Sequence, residues 1–279
     1  MPAKPRFATV IAILMVIGSL AACASGAVPT STPGATPDPP PGDGDLAGRA
    51  FLSVALTDGG IDRPLVPGTR IRLDFTDGGL SVSAGCNTMG ARAHIDGGRL
   101  IVDQMSTTDM GCPAALGTQD AWLATFLTSM PGFALVGNDL TLSGASIVIR
   151  LQDRLVVKPD RSLVGPTWTL DSIVSGAVVS SVPSDARATV VFNADGTLTV
   201  FTGCNQGGAK WAQVADGLQV TDLVLTKKAC SGSGGQLEAA VVGVLRAGTI
   251  GLKIEADSLT LEAGSSGPAG VAGLGFRAS

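Results

Sequence analysis

Four of the five cysteines form two pairs with equal spacing, and they are the residues best suited to covalent chemistry. Cys86 and Cys112 make one pair, and Cys204 and Cys230 make the other. Paired thiols oxidise to disulfides outside the cytosol, whereas in other settings they bind zinc or exchange electrons. The chain has no C-x-x-C motif and only one histidine, which disfavours a zinc or redox site. The spacing therefore predicts the disulfides Cys86–Cys112 and Cys204–Cys230.

The single histidine, His94, is the next candidate for chemistry. It stands just before the sequence Asp96-Gly97-Gly98, and Ala212 occupies the matching place in the second half of the chain. A catalytic histidine needs a nucleophile and an acid that orients it, and no pattern in the sequence supplies them. We therefore expect His94 to be a solvated turn residue.

Other catalytic and ligand-binding patterns are incomplete. No G-x-S-x-G motif occurs, and residues 203–210 resemble a phosphate-binding loop only loosely, because Lys210 comes one position late. Gly232-Ser233-Gly234-Gly235 is interpreted as a flexible loop before a helix. The carboxylates are dispersed, so no pair can be assigned to acid–base work. We expect a protein that is not an enzyme and that has no catalytic, cofactor-binding or metal-binding residues.

Composition limits the classes of partner. The 279 residues are 45% hydrophobic, with a formal net charge of −4 and no tyrosine. The apolar share is sufficient for folded cores, which excludes global disorder. The charges are scattered and form no basic stripe, so nucleic acid is not expected as a partner.

The N-terminus predicts export and a lipid anchor. Lys4 and Arg6 precede an uncharged stretch, residues 7–22, that ends in small residues and is followed by Cys23. This order resembles a bacterial lipoprotein signal, with a signal peptide at 1–22 and a diacylglyceryl group on Cys23. The alternatives are an ordinary signal peptide or an uncleaved anchor. We expect an extracytoplasmic protein that is attached to the bacterial cell membrane through its N-terminal lipid.

A spacer follows the lipidation site. Residues 24–45 contain six of the 16 prolines, separated by Ser, Thr, Gly and Asp. Such a composition cannot bury apolar surface and favours extended conformers. Residues 23–45 are therefore predicted to be the lipidated cysteine and a Pro-rich disordered tether.

The remainder of the chain is a tandem repeat. Gly85-Cys86-Asn87 recurs as Gly203-Cys204-Asn205, and many other residues recur at the same or nearly the same offset. The matched pairs are Gly78 and Gly196, Leu80 and Leu198, Val82 and Val200, Leu100 and Leu218, Thr108 and Thr226, and Phe51 and Trp168. Self-similarity at a fixed period indicates duplicated structural units. We expect two domains, at residues 46–158 and 162–279.

Each unit reads as mostly β with one helix. Hairpins are predicted at residues 70–83, 140–151 and 188–201, where β-branched or apolar runs flank Gly-containing turns. Helical spacing is evident in two groups. In the first group, Thr118 is predicted to cap a helix that Pro131 ends. The apolar residues of this group are Trp122, Leu123, Phe126 and Leu127. Those of the second group are Leu237, Val241, Val244 and Leu245.

The ordered set of repeated residues resembles the META domain, the family of the heat-shock protein HslJ. The residues that carry the resemblance in the second unit are Gly165, Trp168, Phe192, Asp195-Gly196, Gly203-Cys204-Asn205, Thr226, Cys230 and Leu259-Thr260-Leu261. In the first unit they are Gly48, Phe51, Phe75, Gly85-Cys86-Asn87, Thr108, Cys112 and Leu140-Thr141-Leu142. The first unit departs from the pattern where Phe51 replaces tryptophan. Thr88 and Gln206 stand where the family often has Arg or Tyr.

The resemblance implies a mostly β (α+β) fold. Two small antiparallel β-sheet or open-barrel domains are expected in tandem, each with one helix and one disulfide. Family members are linked to envelope stress, antibiotic tolerance and secretion, and no catalytic activity is established for them. We therefore expect a non-enzymatic envelope lipoprotein that binds or stabilises an envelope protein or ligand. The alternative is an inhibitor of a secreted hydrolase such as lysozyme, which would insert a loop near residues 88–97 or 207–214.

Overall fold

The computed structural model describes residues 46–176, 178–215, 217–264 and 271–279. The predicted signal peptide, the lipidation site Cys23 and the Pro-rich tether lie outside the described residues. No helix within the described ranges is long and apolar enough to cross a membrane.

The first domain is an antiparallel sheet with one long helix. Its elements are β1 (Ala50–Asp58), β2 (Ile61–Asp62), β3 (Arg72–Thr76), β4 (Gly79–Ser83), β5 (Thr88–Asp96), β6 (Arg99–Thr107), α1 (Ala114–Thr128), β7 (Gly132–Val136), β8 (Asp139–Ser143) and β9 (Ile147–Asp153). A short helix, α2 (Arg154–Val157), follows directly and begins the connection to the second domain.

The second domain repeats the same order of elements. They are β10 (Trp168–Ser175), β11 (Val178–Ser181), β12 (Thr189–Phe192), β13 (Thr197–Phe201), β14 (Gln206–Val214), β15 (Gly217–Leu225), α3 (Gly232–Leu245), β16 (Thr249–Glu255), β17 (Ser258–Ala263) and β18 (Val271–Ala278). The prediction of two mostly β domains with one disulfide each is confirmed.

Each sheet closes on itself. The short strands β2 and β11 pair only with β1 and β10, which also pair with β3 and β12. From β3 to β9 and from β12 to β18, consecutive strands are neighbours, and β1 pairs with β9 as β10 does with β18. The seam between β6 and β7 is narrow, because a single residue pair, Arg99 and Gly132, joins them. The helix α1 connects these two strands and covers the interior at that seam. Closure leaves few unpaired strand edges, which are the usual sites of unwanted association.

The interior of each domain is filled by alternate residues of the strands. On β3 and β4, Leu73, Phe75, Leu80 and Val82 are buried, and the residues between them face outward. This period of two is what a sheet with one buried face requires. The three hairpins predicted from the sequence are confirmed by the pairings of β3 with β4, β8 with β9 and β12 with β13.

Phe51 occupies the position that Trp168 holds in the second domain. Both side chains are fully buried. Phe51 stands opposite Leu73, and Trp168 stands opposite Val190, so the two strands keep the same register. The Trp168 indole donates to the Leu163 carbonyl at 3.0 Å, a bond that phenylalanine cannot make. Replacing tryptophan therefore removes one hydrogen bond and leaves the strand in place.

The beginnings of the helices differ from the sequence prediction. The first helix starts at Ala114, directly after Pro113, so Thr118 lies inside it and does not cap it. Proline fits a helix start because its missing N–H has no partner there in any case. The second helix starts at Gly232, so Gly232-Ser233-Gly234-Gly235 form its first turn and not a flexible loop. The first helix ends at Thr128, before Pro131 as predicted, and the apolar residues of both helices pack toward the core.

The two segments proposed as inhibitory loops are strands. Residues 88–97 are almost entirely β5, which pairs with β6, and residues 207–214 lie in β14, which pairs with β15. The prediction of insertable loops is wrong at both places. Both strands contain a register shift, between Gly90 and Arg92 in β5 and between Gly208 and Lys210 in β14. Small residues also occupy much of the inward face, so the alternation of large hydrophobic residues that identifies a strand is weak in the sequence.

Candidate functional site

Each domain carries its disulfide at the junction between sheet and helix. Cys86 bonds to Cys112 and Cys204 to Cys230, each pair 26 residues apart in sequence, with Cα atoms 6.1 and 6.0 Å apart. In each pair the first cysteine follows a strand and the second precedes the helix. The prediction of pairing within each repeat is confirmed.

Asn87 lies beside the first disulfide and makes hydrogen bonds with the loop around it. Its side-chain oxygen accepts from the Thr108 hydroxyl at 3.1 Å and from the Met110 amide at 3.0 Å. Its side-chain amide donates to Cys112 Sγ at 3.2 Å and to Asp120 Oδ2 at 3.3 Å. One residue thus ties together the end of β6, the loop before α1 and α1 itself.

Asn205 repeats this arrangement in the second domain with shorter bonds. Its side-chain oxygen accepts from the Thr226 hydroxyl at 2.6 Å and from the Lys228 amide at 2.8 Å. Its side-chain amide donates to Cys230 Sγ and to Glu238 Oε1, both at 3.1 Å. We call each set, with its threonine, helix carboxylate and disulfide, the asparagine clamp of its domain.

The helix carboxylates Asp120 and Glu238 were not singled out in the sequence. They stand at the same offset as the paired cysteines, and this coincidence is the signal that could have found them. Asp120 accepts from the Asn87 backbone amide at 2.9 Å, and Glu238 accepts from the Asn205 backbone amide at 3.1 Å. Asp and Glu differ in type, so a search for identical residues does not match them.

Hydrogen bonds hold the Glu238 carboxylate in its charged form. Burial acts to raise the pKa of Glu238, but hydrogen bonds from Thr202 and Asn205 outweigh it, so the pKa is lowered. The Thr202 hydroxyl donates to Glu238 Oε2 at 2.6 Å, and Thr202 is fully buried. Hydrogen bonds to the ionised form favour it by about 1.5–3 kcal/mol each in general.

The first clamp is built less completely. Ala84 stands where Thr202 stands in the second domain, and Asp120 Oδ1 is buried without a hydrogen-bond partner among the described residues. Gln119 occupies the space beside it. Its side-chain amide donates to the Ala84 carbonyl and, at 2.9 Å, to the Thr69 hydroxyl. The first domain thus uses a glutamine where the second uses a buried threonine.

Glycine is required just before each clamp. Gly85 has a φ of +138°, and a Cβ there would lie 2.7 Å from a methyl carbon of Thr69. Gly203 has a φ of +101°, and a Cβ there would lie 3.0 Å from Leu237. These conformations and close approaches explain the recurring Gly-Cys-Asn sequence.

The clamps bring together groups that resemble a metal site. Within the described ranges, Cys204, Cys230 and Glu238 are grouped closely enough to hold an ion. The two sulfur atoms are joined as a disulfide, and zinc binds thiolates. With the disulfide intact, the geometry therefore fits a structural clamp better than a metal centre.

The remaining sequence candidates lie apart from the clamps. His94 lies in β5 opposite Ile101 and is exposed, so it is a solvated strand residue and not a turn residue. Residues 203–210 run from a turn into β14, whereas a phosphate-binding loop leads from a strand into a helix.

The first domain also has an open groove that sequence reasoning missed. It has a volume of about 650 Å³ and lies between residues 53–56 of β1 and the loop 62–70; we call it the loop groove. The loop is fastened to α1, because the Val66 amide donates to Gln119 Oε1 at 2.7 Å. Arg63 at one end of the loop stacks over the ring of Trp122, 4.0 Å from its centroid. In the second domain Leu237 and Ala240 stand where Gln119 and Trp122 stand in the first.

The solved structures that are similar to part of the chain include two determined by NMR. An NMR structure of a protein from Burkholderia xenovorans has 17% sequence identity and a TM-score of 0.34, over 45% of this chain and 98% of its own. A second NMR structure has 19% identity and a TM-score of 0.32, over 39% of this chain and 92% of its own.

No curated protein matches the chain. The model of one family, described as the META domain, matches it twice, at residues 45–155 and 161–271. Each match contains one asparagine clamp and one disulfide. The chain therefore belongs to the META domain family, with two copies of the domain in tandem.

Proposed function

We propose that this protein is a bacterial cell-envelope lipoprotein that works by binding or stabilising another envelope component, without catalysis. Lipid on Cys23 would hold it at the membrane, and residues 23–45 would separate the lipid from the folded domains. The lipoprotein-like signal and the two disulfides support an extracytoplasmic location. A role in envelope stress or antibiotic tolerance follows from the family resemblance.

One observation carries the binding proposal: the loop groove is open and held in shape. Thr69 donates to the Val66 carbonyl at 2.7 Å, and Gln119 bonds to both residues, so the loop keeps its form without a ligand. A groove that is already formed binds with less loss of conformational entropy. The polar side chains of the clamps, in contrast, already bond to one another.

The chemistry of the loop groove indicates the kind of partner. Its walls are largely apolar, with Val54 on β1 and Leu65, Val66 and two prolines on the loop. Its charged residues are two cations, Arg63 and Arg70, and one carboxylate, Asp62. Val54 lines the groove and is 53% exposed, so its side chain is accessible to a partner. An extended protein segment with apolar side chains and a nearby acidic residue fits these walls.

Site-specific crosslinking tests the proposal. A photo-crosslinking amino acid at Val54 should capture one envelope protein in living cells, whereas the same group at Val136, an exposed valine of β7, should not. A Val54→Asp variant should fail to restore tolerance of envelope-directed antibiotics to a deletion strain, and Val136→Asp should restore it. Equal behaviour of the two positions would contradict the proposal.

The lipid anchor is tested separately. A clickable fatty acid should label the wild type and not Cys23→Ala, which should move to the soluble fraction. Labelling of the variant would overturn the assignment of Cys23.

Inhibition of a secreted hydrolase is the less favoured alternative, because the segments chosen for insertion are strands. Purified protein that inhibited lysozyme at stoichiometric amounts would reverse this preference.

A further inference from the structure

A second cavity lies where the two domains meet, and cations dominate its wall. Its volume is about 340 Å³, and residues from β1, β3 and α2 face residues from β16, β17 and β18 across it. Five lining side chains are cationic: Arg72, Arg154, Lys158, Lys253 and Arg277. Two are carboxylates, Glu255 and Asp257. We call this cavity the cation cleft.

The two carboxylates of the cleft are shared between the cations. Glu255 pairs with Arg72 and, at 3.7 Å, with Lys253. Asp257 pairs with Lys158 at 3.2 Å and with Arg277 at 3.6 Å. Among the lining residues alone, five cations therefore face two carboxylates. Three further carboxylates, Asp74, Asp160 and Asp171, pair with Arg72, Arg154 and Arg277 from outside the lining of the cavity.

Two of the cations are fixed in position. Arg72 makes two hydrogen bonds with Asp74, at 2.6 and 2.5 Å. Arg154 makes two with Asp160, at 2.5 and 3.2 Å. Such paired bonds hold a guanidinium plane in one orientation. Arg72 and Arg154 are therefore preorganised on the side of the first domain.

The other three cations are more exposed: Lys158 and Lys253 make only exposed ion pairs, and Arg277 donates to Asp171 at 2.9 Å from its outer side. The side chains of Lys158, Lys253 and Arg277 are 58%, 75% and 56% exposed. Exposed ion pairs contribute little, so an incoming anion replaces them at small cost. Ser258 and Thr260 add two hydroxyl groups to the same wall.

The floor of the cleft is held by bonds between the domains. The Ala256 amide donates to Asp160 Oδ1 at 2.6 Å, and the Arg161 amide donates to the Ala256 carbonyl at 2.8 Å. The turn between β16 and β17 is thereby seated on the connection between the domains. The cleft exists only when both domains are present.

We propose that the cation cleft binds a small anion that carries two or more phosphate or carboxylate groups. Its volume lies at the small end of ligand sites, which suits a diphosphate or a phosphorylated headgroup and not a polymer. The proposal goes beyond the function of the loop groove, because the two sites share no residue. Because both domains supply ligands, the bound anion should also stabilise the domains against moving apart.

Calorimetric titration of the full chain in detergent with inorganic pyrophosphate tests this proposal. Lys253→Glu and Arg277→Glu should each weaken binding by about tenfold or more, since each replaces attraction with repulsion. The matched control is Lys210→Glu. Lys210 is 74% exposed and pairs with Asp222 at 3.2 Å on the outer face of β14, outside the cleft. The control should bind as the wild type does.

Three results would overturn the proposal. The first is that pyrophosphate does not bind, and the second is that Lys210→Glu weakens binding as much as the cleft variants do. The third is that both cleft variants, with the unfolding temperature of the wild type, bind pyrophosphate as the wild type does. Competition then separates the sources of the anion. Displacement of pyrophosphate by mixed micelles of cardiolipin, whose headgroup carries two phosphates, and not of phosphatidylcholine, assigns a lipid headgroup; no displacement assigns a free anion. Neither result depends on the loop groove, since Val54→Asp should leave pyrophosphate binding unchanged.

Discussion

At the scale of single residues, the asparagine of each clamp carries more hydrogen bonds than any other side chain in its loop. Asn205 is 2% exposed and bonds through both side-chain atoms, whereas Asn87 is only partly buried. Losing a buried hub leaves its partners unsatisfied as well.

Asn205→Ala should therefore destabilise the second domain by about 2–4 kcal/mol. It removes the side-chain partner of Glu238 Oε1 and of the Lys228 amide, while Glu238 Oε2 keeps its bonds from Thr202 and from the backbone amide of residue 205. Asn87→Ala should cost the first domain less, because Thr108 and Met110 are exposed to water and the buried Asp120 keeps its bond from the backbone amide of residue 87. Urea denaturation measures the loss of stability in both variants, and hydrogen exchange of the amides assigns each loss to its domain. The exposed Gln213→Ala serves as control, and a loss for Asn205→Ala no larger than this control would contradict the role of the clamp.

The lowered pKa of Glu238 predicts a pH dependence. A carboxyl whose pKa is lower in the folded state stabilises the protein above its unfolded pKa, here 4.5, and loses that contribution as pH falls through the folded value. Glu238→Gln should be destabilising at pH 7, and the difference from the wild type should shrink below about pH 4. Thermal unfolding across pH measures this, and a difference that does not change with pH would contradict the assignment.

The sequence predicts the clamp only in part, and the reason is chemical. Cysteine, glycine and asparagine recur without change. A disulfide requires cysteine, a positive φ favours glycine, and asparagine supplies a side-chain amide that both donates and accepts hydrogen bonds. Asp120 and Glu238 do not recur identically, because either carboxylate reaches the asparagine amide. Thr202 in the second domain and Gln119 in the first make hydrogen bonds at the same place in the fold, beside the helix carboxylate. They do not stand at matching positions, so a comparison of the repeats does not pair them.

At the scale of elements, the glycines at the start of the second helix show that tertiary packing overrides the low helix propensity of glycine. Gly-rich sequences disfavour helix, yet α3 begins at Gly232. A Cβ on Gly235 would lie 3.1 Å from the Cys230 carbonyl oxygen, so a small residue lets the helix start against the disulfide loop. This contact depends on the tertiary fold and cannot be read from local sequence. The strands β5 and β14 were missed because small residues on the inward face and a register shift in each strand weaken the alternation of hydrophobic residues.

The two repeats offer a matched test of this packing. Gly117 in α1 corresponds to Gly235 in α3, but a Cβ on Gly117 would meet nothing within 4 Å. Gly117→Ala should stabilise the first domain by about 0.5–1 kcal/mol through helix propensity. Gly235→Ala should give no gain or a loss in the second domain, because the disulfide holds the opposing backbone in place. Chemical denaturation of the two variants measures the contrast, and an equal gain would show that packing does not govern the second site.

At the scale of the whole molecule, the two domains have separate cores. The buried apolar cluster of the first domain spans residues 46–151, and that of the second spans residues 168–276. The contacts between domains described above are polar, with Arg72 and Glu255 as a direct ion pair. Polar interfaces of this kind are typical of domains that can fold independently.

A fragment of residues 162–279 should therefore fold alone. It should give a dispersed amide spectrum and unfold cooperatively, with the disulfide intact. Closing a loop of 26 residues stabilises by about 3.5 kcal/mol in the chain-entropy model, so reduction should lower the stability of the fragment by a few kcal/mol. A molten fragment would show that the domains depend on each other. Pairing of cysteines across the repeats, mapped by mass spectrometry, would contradict the two-domain architecture.

The pairing of the first strand with the last in each domain has a consequence for how such a chain can evolve. Phe51 stands opposite Asp153, and Trp168 stands opposite Ala278, so each domain begins and ends at one place on its surface. A gene segment that encodes such a unit can be copied end to end, because the new copy enters and leaves without crossing the old one.

The same geometry permits circular permutation: joining residues 50 and 153 by a short linker and opening the chain at the exposed Gly97-Gly98 turn should preserve the first domain.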